Sequence, residues 1–203
     1  RGEIVIRGEN VMAGYWKNPT ATSETIKNGW LYTGDLGYLS RDGLLYVLGR
    51  FKSLLISSDG EKYSPEGMEE AIVGQSPYIE QIVLHNNQNP YTIALIVPNK
   101  ENIRKHVTHH HKHFDPHRAL ELIQHELHKY KGKGDFSGQF PERWLPASFI
   151  ILNEAFTEQN GMVNSTMKIV RNKVESHYAE RIDFAYTAEG KDIFNSKNLE
   201  AIV

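Results

Sequence analysis

Two Asp-Gly pairs constrain the fold of this chain most strongly, because each lies between short apolar runs. These pairs are Asp42-Gly43 and Asp59-Gly60. An Asp-Gly pair in that setting is a strong signal for a tight turn between antiparallel strands. We therefore predict two β-hairpins, one on each side of residue 50. The runs that flank the two turns are residues 30–33, 44–48, 53–57 and 61–63.

The rest of the chain alternates strand-like runs with amphipathic segments. Ser64-Pro65 and Asp115-Pro116 each place a capping side chain before a proline, as at the first turn of many helices. The order of strands and helices predicts an α+β fold, in which helices pack on a small antiparallel or mixed sheet. The predicted strands after residue 63 are 79–85, 91–97 and 148–152, and the predicted helices begin at residues 64, 115 and 165.

The character of the sequence changes between Gly49 and Lys52, where we place a domain boundary. Residues 1–50 are rich in strand-like runs but have too few apolar residues for a convincing core of their own. The order of strands and helices over residues 51–203 predicts one α+β domain. The chain begins at Arg1 within a strand-like run, so we expect it to be a piece of a longer protein.

Charge and composition exclude several classes of protein. The 203 residues carry a formal charge of -2, which argues against a dedicated nucleic-acid partner. The chain has no cysteine, which excludes disulfides and thiolate metal sites. No apolar run of these residues reaches the length needed to span a bilayer, and the first residues do not have the charged-then-apolar pattern expected of a signal peptide. We expect a cytoplasmic protein, with peripheral contact to a membrane as one option.

Three segments carry side chains suited to chemistry. Asp35, in the sequence Thr33-Gly34-Asp35, could accept hydrogen bonds from a vicinal diol, or it could bond to its own backbone in a turn. Arg50 could donate to ribose or phosphate oxygens, or it could be an ordinary surface charge. Lys168 lies near the start of a predicted helix, where a positive charge is unfavourable, and this suggests that it faces an anion.

Together these segments closely resemble the C-terminal part of adenylate-forming acyl-CoA synthetases of the AMP-binding superfamily. The resemblance covers nearly the whole chain and is strongest to the long-chain fatty-acid–CoA ligases. The segments that carry it occur in the family's order, namely GYW-NP-AT, GW-YTGDLG, GRFK-LI-SDGEKYSPEGMEEAI and FPERWLP-F-L-E-FT-NGMVNSTMKIVR.

The resemblance implies a role for each of five residues. Asp35 binds the ribose hydroxyls of ATP and the adenylate, and Arg50 contacts the ribose or phosphate region. Lys52 is the hinge about which the C-terminal domain rotates between the two half-reactions. Gly60 approaches the path of the pantetheine arm of CoA. Lys168 contacts carboxylate and phosphate oxygens during adenylation, although the sequence NSTMK lacks the Gly-Lys pair of the commonest form.

The resemblance also implies a reaction and its partners. A fatty acid, ATP and CoA give acyl-CoA, AMP and pyrophosphate through an acyl-adenylate. Residues 1–50 would be the end of the large N-terminal AMP-binding domain, and residues 51–203 the mobile C-terminal domain. The phosphate loop and the ligands of Mg²⁺ are expected upstream, so the isolated chain should be inactive without its N-terminal domain. The closest alternative is an adenylating enzyme for aryl, short-chain or carrier-protein substrates.

Two other segments suggest functions of a different class. A histidine-rich stretch at residues 106–117 could make the chain a metal-binding module, because neutral imidazoles bind zinc, nickel and copper. The lysine-rich loop at residues 129–138 could meet an anionic membrane with Phe136 inserted, or it could be a solvated loop. The histidines are His106, His109, His110, His111, His113 and His117, followed by His125 and His128.

Overall fold

The computed structural model describes residues 2–110 and 113–203, apart from the side chain of His110. The chain divides into two compact units, Arg1–Leu54 and Leu55–Val203. The first unit is a four-stranded antiparallel sheet with one short helix. Its central strand pairs with the other three, and the predicted turn closes when Gly43 N–H donates to the Ser40 carbonyl. The elements are β1 (Gly2–Ile6), α1 (Pro19–Thr25), β2 (Ile26–Lys27), β3 (Trp30–Leu39) and β4 (Leu45–Arg50).

The second unit contains two three-stranded mixed sheets and seven helices in its described residues. In one sheet β9 lies between antiparallel β7 and parallel β10, and in the other β5 lies between antiparallel β6 and parallel β8. The strands are β5 (Leu55–Ser57), β6 (Lys62–Tyr63), β7 (Ile79–His85), β8 (Asn87–Asn89), β9 (Ile93–Pro98) and β10 (Ser148–Ile151). The helices are α2 (Glu66–Gln75), α3 (Lys100–His110), α4 (Pro116–His128), α5 (Arg171–His177), α6 (Ala179–Ala185), α7 (Ala188–Lys191) and α8 (Ser196–Ile202).

The sheet formed by β7, β9 and β10 is buried on both faces, which explains why β9 is apolar throughout. Alternate residues of β9 enter two separate clusters, with Ala94 and Ile96 in one and Ile93 and Leu95 in the other. The first cluster also contains buried residues of α2, α3 and α4, and the second contains residues of α5 and α6. A strand covered on both sides loses the apolar-polar alternation of a half-exposed strand.

The structure confirms the α+β fold and most of the predicted elements. Both hairpins form, β7 pairs with β9 as predicted, and α4 begins at Pro116 with the Asp115 carboxylate accepting from His117 N–H at 2.9 Å. Helix α2 also forms, although its N-cap is Pro65 and not Ser64. The predictions lacked α3, because its exposed face is so polar that the stretch looked like a loop. The three short C-terminal helices were missed as well.

The last predicted helix begins six residues later than expected. We expected it to start at Ser165, but α5 starts at Arg171. The Asn164 side chain explains the difference, because its Oδ1 accepts from the Thr166 and Lys168 N–H groups at 3.0 and 2.9 Å. Such local bonds compete with helix formation. Lys168 therefore lies on a turn before the helix, and our helix-start argument for its role was wrong.

Within the described part of the chain, no helix is long and apolar enough to cross a membrane.

Candidate functional site

Asp35 lies on an irregular stretch of the central strand β3. Residues 33–35 face only Ile4 of β1, because the register shifts between the Glu3–Leu36 and Val5–Tyr32 pairs. The Thr33 hydroxyl stabilises this bulge by donating to the Ile4 carbonyl at 2.8 Å and accepting from Asp35 N–H at 3.0 Å. Bulges of this kind re-aim side chains. The Asp35 side chain keeps 35% of its surface exposed.

Arg50 lies directly opposite Asp35, as the last residue of β4. The two Cα atoms are register partners, and Arg50 Nε is 3.5 Å from Asp35 Oδ1. In the residues that the structure describes, no backbone N–H of its own turn donates to the Asp35 carboxylate. That carboxylate can therefore accept hydrogen bonds from a ligand. The exposed Arg50 guanidinium beside it offers donors for an anion.

Gly37 allows the strands beside Asp35 to approach closely. A Cβ atom at this position would lie 2.6 Å from the Tyr46 carbonyl oxygen and 2.8 Å from the Ile4 Cδ1 atom. Both contacts are shorter than van der Waals separation, so a larger residue would push β3 away from its neighbours. The close approach at Gly37 was not predicted from the sequence.

Lys52 lies beside the division between the two compact units. It is exposed in the short 3₁₀ helix Phe51–Ser53, one turn after β4, and the first unit ends at Leu54. The hinge role expected for Lys52 stays a prediction.

Gly60 occupies the turn between β5 and β6. Its φ is +83°, a left-handed conformation that favours glycine, and its N–H donates to the Ser57 carbonyl at 2.9 Å. Apart from Gly60 and its two chain neighbours, no heavy atom of the described residues lies within 4 Å of the position that a Cβ would take. The Ser57 hydroxyl donates to the Asp59 carboxylate and lowers the pKa of that group. Gly60 therefore presents its backbone to open space on an internally bonded turn.

The next residue, Glu61, ties this turn to a loop more than eighty residues later in the chain. Arg143 Nε and Nη2 each donate to a Glu61 carboxylate oxygen at 2.6 Å, and Trp144 Nε1 donates at 3.0 Å. The Arg143 guanidinium, followed by the Trp144 N–H, lowers the pKa of Glu61 from 4.5 to about 2. We call Glu61, Arg143 and Trp144 the turn clamp. No local feature of the sequence predicts this clamp.

Lys168 lies at the end of a second tight turn. The Lys168 carbonyl accepts from Asn164 N–H at 2.9 Å, and the flanking Val163 and Ile169 form an antiparallel bridge. Met167 has a φ of +60°, which accounts for the glycine found before the lysine in the commonest form of this motif. Lys168 is exposed, and no carboxylate of the described residues pairs with its ammonium group. The charge is therefore available to a ligand.

A buried ion pair anchors the chain just after Lys168. Arg171 Nη2 donates to both Glu69 carboxylate oxygens at 2.8 Å, and Nη1 donates to the Leu84 carbonyl at 2.6 Å. Leu84 N–H donates in turn to Glu69 Oε1 at 2.6 Å. Burial raises the pKa of the Glu69 carboxyl, and the Arg171 guanidinium opposes that rise. The pair joins the start of α5 to α2 and β7, so it fixes the chain directly after the Lys168 turn.

The structure thus brings together Asp35 and Arg50 in the first unit. In the second unit, Gly60 and Lys168 lie on separate turns, each stabilised by side-chain hydrogen bonds. The turn clamp and the Glu69–Arg171 pair are additions to the sequence-based site. Glu61 and Arg143 are 82 residues apart in the sequence, and Glu69 and Arg171 are 102 apart. No local sequence pattern predicts pairs at such separations.

The histidine-rich stretch does not form a metal site in the residues that the structure describes. Within residues 2–110 and 113–203, no three His, Asp or Glu side chains come close enough to hold a metal ion. His106 Nδ1 lies 2.9 Å from the Tyr78 hydroxyl, and the His117 ring stacks on Phe194. His111 and the side chain of His110 lie outside the described residues.

The lysine-rich loop does not present Phe136 for membrane insertion. The Phe136 ring is partly buried against the main core and lies 5.1 Å from the Tyr130 ring, centroid to centroid. Lys131 Nζ donates to the Pro146 carbonyl, and burial lowers the pKa of the Lys131 ammonium. Of the two options for this loop, the one in which Phe136 inserts into a membrane therefore has no support from the position of its ring.

Comparison with known proteins identifies the family. Residues 52–130 match the family described as AMP-binding enzyme C-terminal domain. The chain is 33% identical to long chain acyl-CoA synthetase 8 of Arabidopsis thaliana, over 92% of this chain and 27% of that protein. It is 32% identical to the chloroplastic long-chain-fatty-acid–[acyl-carrier-protein] ligase AEE15 of the same plant, over 92% of this chain and 25% of that one. The chain thus spans about a quarter of the length of these relatives.

Solved structures give the same assignment. The adenylation domain of a carboxylate reductase from Mycobacterium chelonae superposes with a TM-score of 0.77 and 29% identity, over 91% of this chain and 27% of that one. An adenylation and carrier didomain of a carboxylic acid reductase from Segniliparus rugosus, in complex with AMP, superposes with a TM-score of 0.70 and 26% identity. The match covers 94% of this chain and 25% of that one. Residues 52–130 therefore carry the C-terminal domain of AMP-binding enzymes, and the chain as a whole is similar in sequence and structure to adenylate-forming enzymes.

Proposed function

We propose that this chain is the C-terminal part of an ATP-dependent long-chain fatty-acid–CoA ligase. In this proposal residues 1–50 end the large AMP-binding domain, and residues 51–203 form the mobile domain that rotates about Lys52. The observation that carries the proposal is the exposed ammonium of Lys168, without a carboxylate partner among the described residues, on a turn anchored by Arg171. The named long-chain relatives support the substrate class.

The first half-reaction needs charge neutralisation more than covalent chemistry. A carboxylate oxygen of the fatty acid forms a bond to the α-phosphorus of ATP, and the bond to the bridging oxygen breaks, which releases pyrophosphate. Lys168 offsets the negative charge that gathers on the carboxylate and phosphate oxygens. Asp35 accepts hydrogen bonds from the ribose hydroxyls, and Arg50 donates to ribose or phosphate oxygens. Fixed charges of this kind act mainly by positioning and electrostatic stabilisation.

The second half-reaction uses the other turn. The CoA sulfur attacks the carbonyl carbon of the acyl-adenylate, the thiol proton is lost, and AMP leaves with the bonding electrons. Rotation about Lys52 withdraws Lys168 and brings the Gly60 turn to the path of the pantetheine arm. A glycine whose Cβ position faces open space leaves room for that arm. Such domain rotation assembles two sites in sequence.

We assign no Mg²⁺ ligand to this chain. The described residues bring no three acidic or histidine side chains together, and no step above depends on the ion.

A carrier protein is the alternative acceptor. One relative is named as an acyl-carrier-protein ligase, and one similar structure contains a carrier domain. Both acceptors end in a pantetheine thiol, so the chemistry of the Gly60 turn would be the same. The acids of related adenylating enzymes, aryl or short-chain, are the alternative substrates.

Pyrophosphate release tests the proposal. The protein that carries this chain should release pyrophosphate with ATP and palmitate, much faster than with benzoate or acetate, and then form a thioester with CoA. Faster release with benzoate or acetate would contradict the long-chain substrate. Transfer to acyl-carrier protein but not to CoA would contradict CoA as the acceptor. The 203 residues alone should release no pyrophosphate above the level of their Lys168→Ala variant.

A further inference from the structure

The turn clamp is an unusual way to hold a surface turn. The ladder between β5 and β6 has two residue pairs, Leu55–Tyr63 and Ile56–Lys62, so the strands alone hold the turn weakly. The clamp adds a doubly bonded guanidinium–carboxylate pair at 2.6 Å and a third donor at 3.0 Å. Charge-assisted, paired hydrogen bonds are the strongest and most directional kind. The downstream end of the turn is thereby fixed to the loop that contains Arg143.

The loop end of the clamp is rigid for independent reasons. The Trp144 ring stacks on the Tyr63 ring with centroids 5.2 Å apart and planes 7° from parallel. Tyr63 is buried, and its hydroxyl lies 2.5 Å from the Thr92 hydroxyl. Leu145, the next residue in the chain, is buried in the main core. Arg143 therefore reaches the turn from a fixed platform.

The clamp is poorly suited to stabilising the fold. The Arg143 side chain is 65% exposed, and surface ion pairs contribute little to stability. The clamp can instead determine the orientation of the Gly60 backbone, because Glu61 directly follows Gly60. Movement of the Glu61 carboxylate would change the direction in which the Gly60 backbone faces.

We propose that Arg143 is a positioning residue for thioester formation, acting through Glu61 on the turn at residues 57–62. This inference rests on the proposed function, which places that turn beside the path of the thiol. Arg143 makes no contact with the reacting atoms in this account. It holds the Gly60 backbone in the shape that lets the thiol reach the acyl carbon.

The half-reactions separate this role from a structural one. In the protein that carries this chain, Arg143→Ala should slow thioester formation from supplied acyl-adenylate and CoA by about 10- to 100-fold, because small misplacements cost that much. Adenylate formation should stay unchanged. Arg143→Lys should recover part of the rate, and Glu61→Arg combined with Arg143→Glu should recover more than either single change. Arg118→Ala, which breaks an exposed pair with Glu121, is the matched control and should have no effect.

Hydrogen exchange in the 203-residue chain provides the second measurement. The Gly60 and Glu61 amides, which donate within the turn, should exchange faster in Arg143→Ala than in the unsubstituted chain or in Arg118→Ala. Unchanged exchange would overturn the positioning role whatever the activity shows. Equal loss of both half-reactions would overturn it as well. A protein that forms no thioester at all would refute the proposed function, while exchange would still decide whether Arg143 holds the turn.

Discussion

Replacing Arg171 by alanine should destabilise the second unit more than any exposed arginine replacement. The substitution removes the donors that reach the Glu69 carboxylate and the Leu84 carbonyl. Glu69, whose side chain is 12% exposed, would keep a single N–H donor from Leu84. A charged carboxylate would then be buried almost without compensation.

The expected loss follows from this burial. Removing one partner of a buried ion pair costs about 3–5 kcal/mol, and the slight exposure of both side chains favours the lower end, about 3 kcal/mol. That is about two powers of ten in the folding equilibrium. For a chain of this size it corresponds to a midpoint lowered by roughly 6–12 °C. Adding Glu69→Gln removes the unpaired charge but keeps an acceptor for Leu84 N–H, so part of the loss should return.

Urea unfolding followed by circular dichroism measures these differences. Arg118→Ala is the control, because its pair with Glu121 is about half exposed and should be worth less than about 0.5 kcal/mol. If Arg171→Ala costs no more than this control, the pair does not anchor the start of α5. If adding Glu69→Gln makes the loss larger, the account of an uncompensated charge is wrong.

Three further predictions concern single residues of the two turns and of the β3 bulge. The pKa of the Glu61 carboxyl should be about 2, and in Arg143→Ala it should rise toward 4.5 but stay below it, because the Trp144 N–H still donates. The small contribution of Glu61 to stability is complete above about pH 4.5 and is lost as the pH falls through about 2. Carbon NMR measures both midpoints, and equal midpoints would show that Arg143 does not lower the pKa of Glu61. Met167 is 79% exposed at a φ of +60°, so Met167→Gly should raise the free energy of unfolding by up to about 1 kcal/mol, because glycine adopts this conformation without strain. Met167→Val should lower it, because a β-branched side chain tolerates a positive φ less well, and equal changes in urea unfolding would contradict the strain argument. In the protein that carries this chain, Asp35→Asn should weaken AMP binding by roughly 10- to 100-fold through loss of a charged acceptor; calorimetry tests this, and unchanged affinity would exclude a ribose contact.

Much of the fold was predictable because its signals are local. The Asp-Gly turns, the apolar runs of β7 and β9, and the Asp115-Pro116 start of α4 each report on the few residues around them. Helix α3 was not predicted, because its exposed face is rich in lysine and histidine. Its buried residues Ile103 and Val107 are too few to form a recognisable apolar periodicity.

The candidate site was predictable only where its residues belong to a motif. Asp35, Arg50, Gly60 and Lys168 were found by resemblance, and their roles remain proposals. The groups that hold them in place were not found. In the sequence, Glu69 and Arg171 are indistinguishable from ordinary surface charges. The structure shows that they form an ion pair in which both side chains are largely buried. A side chain can also reverse a local prediction, as Asn164 does when it replaces the expected helix start by a turn.

The central claim is that Lys168 acts in adenylation and leaves before thioester formation. The most direct test is to measure both half-reactions for Lys168→Ala in the protein that carries this chain. Pyrophosphate release with ATP and palmitate should fall by about 100-fold or more, as for other preorganised charges that stabilise a transition state. Thioester formation from supplied palmitoyl-adenylate and CoA should keep its rate. Equal loss of both half-reactions, or unchanged pyrophosphate release, would contradict the role assigned to Lys168.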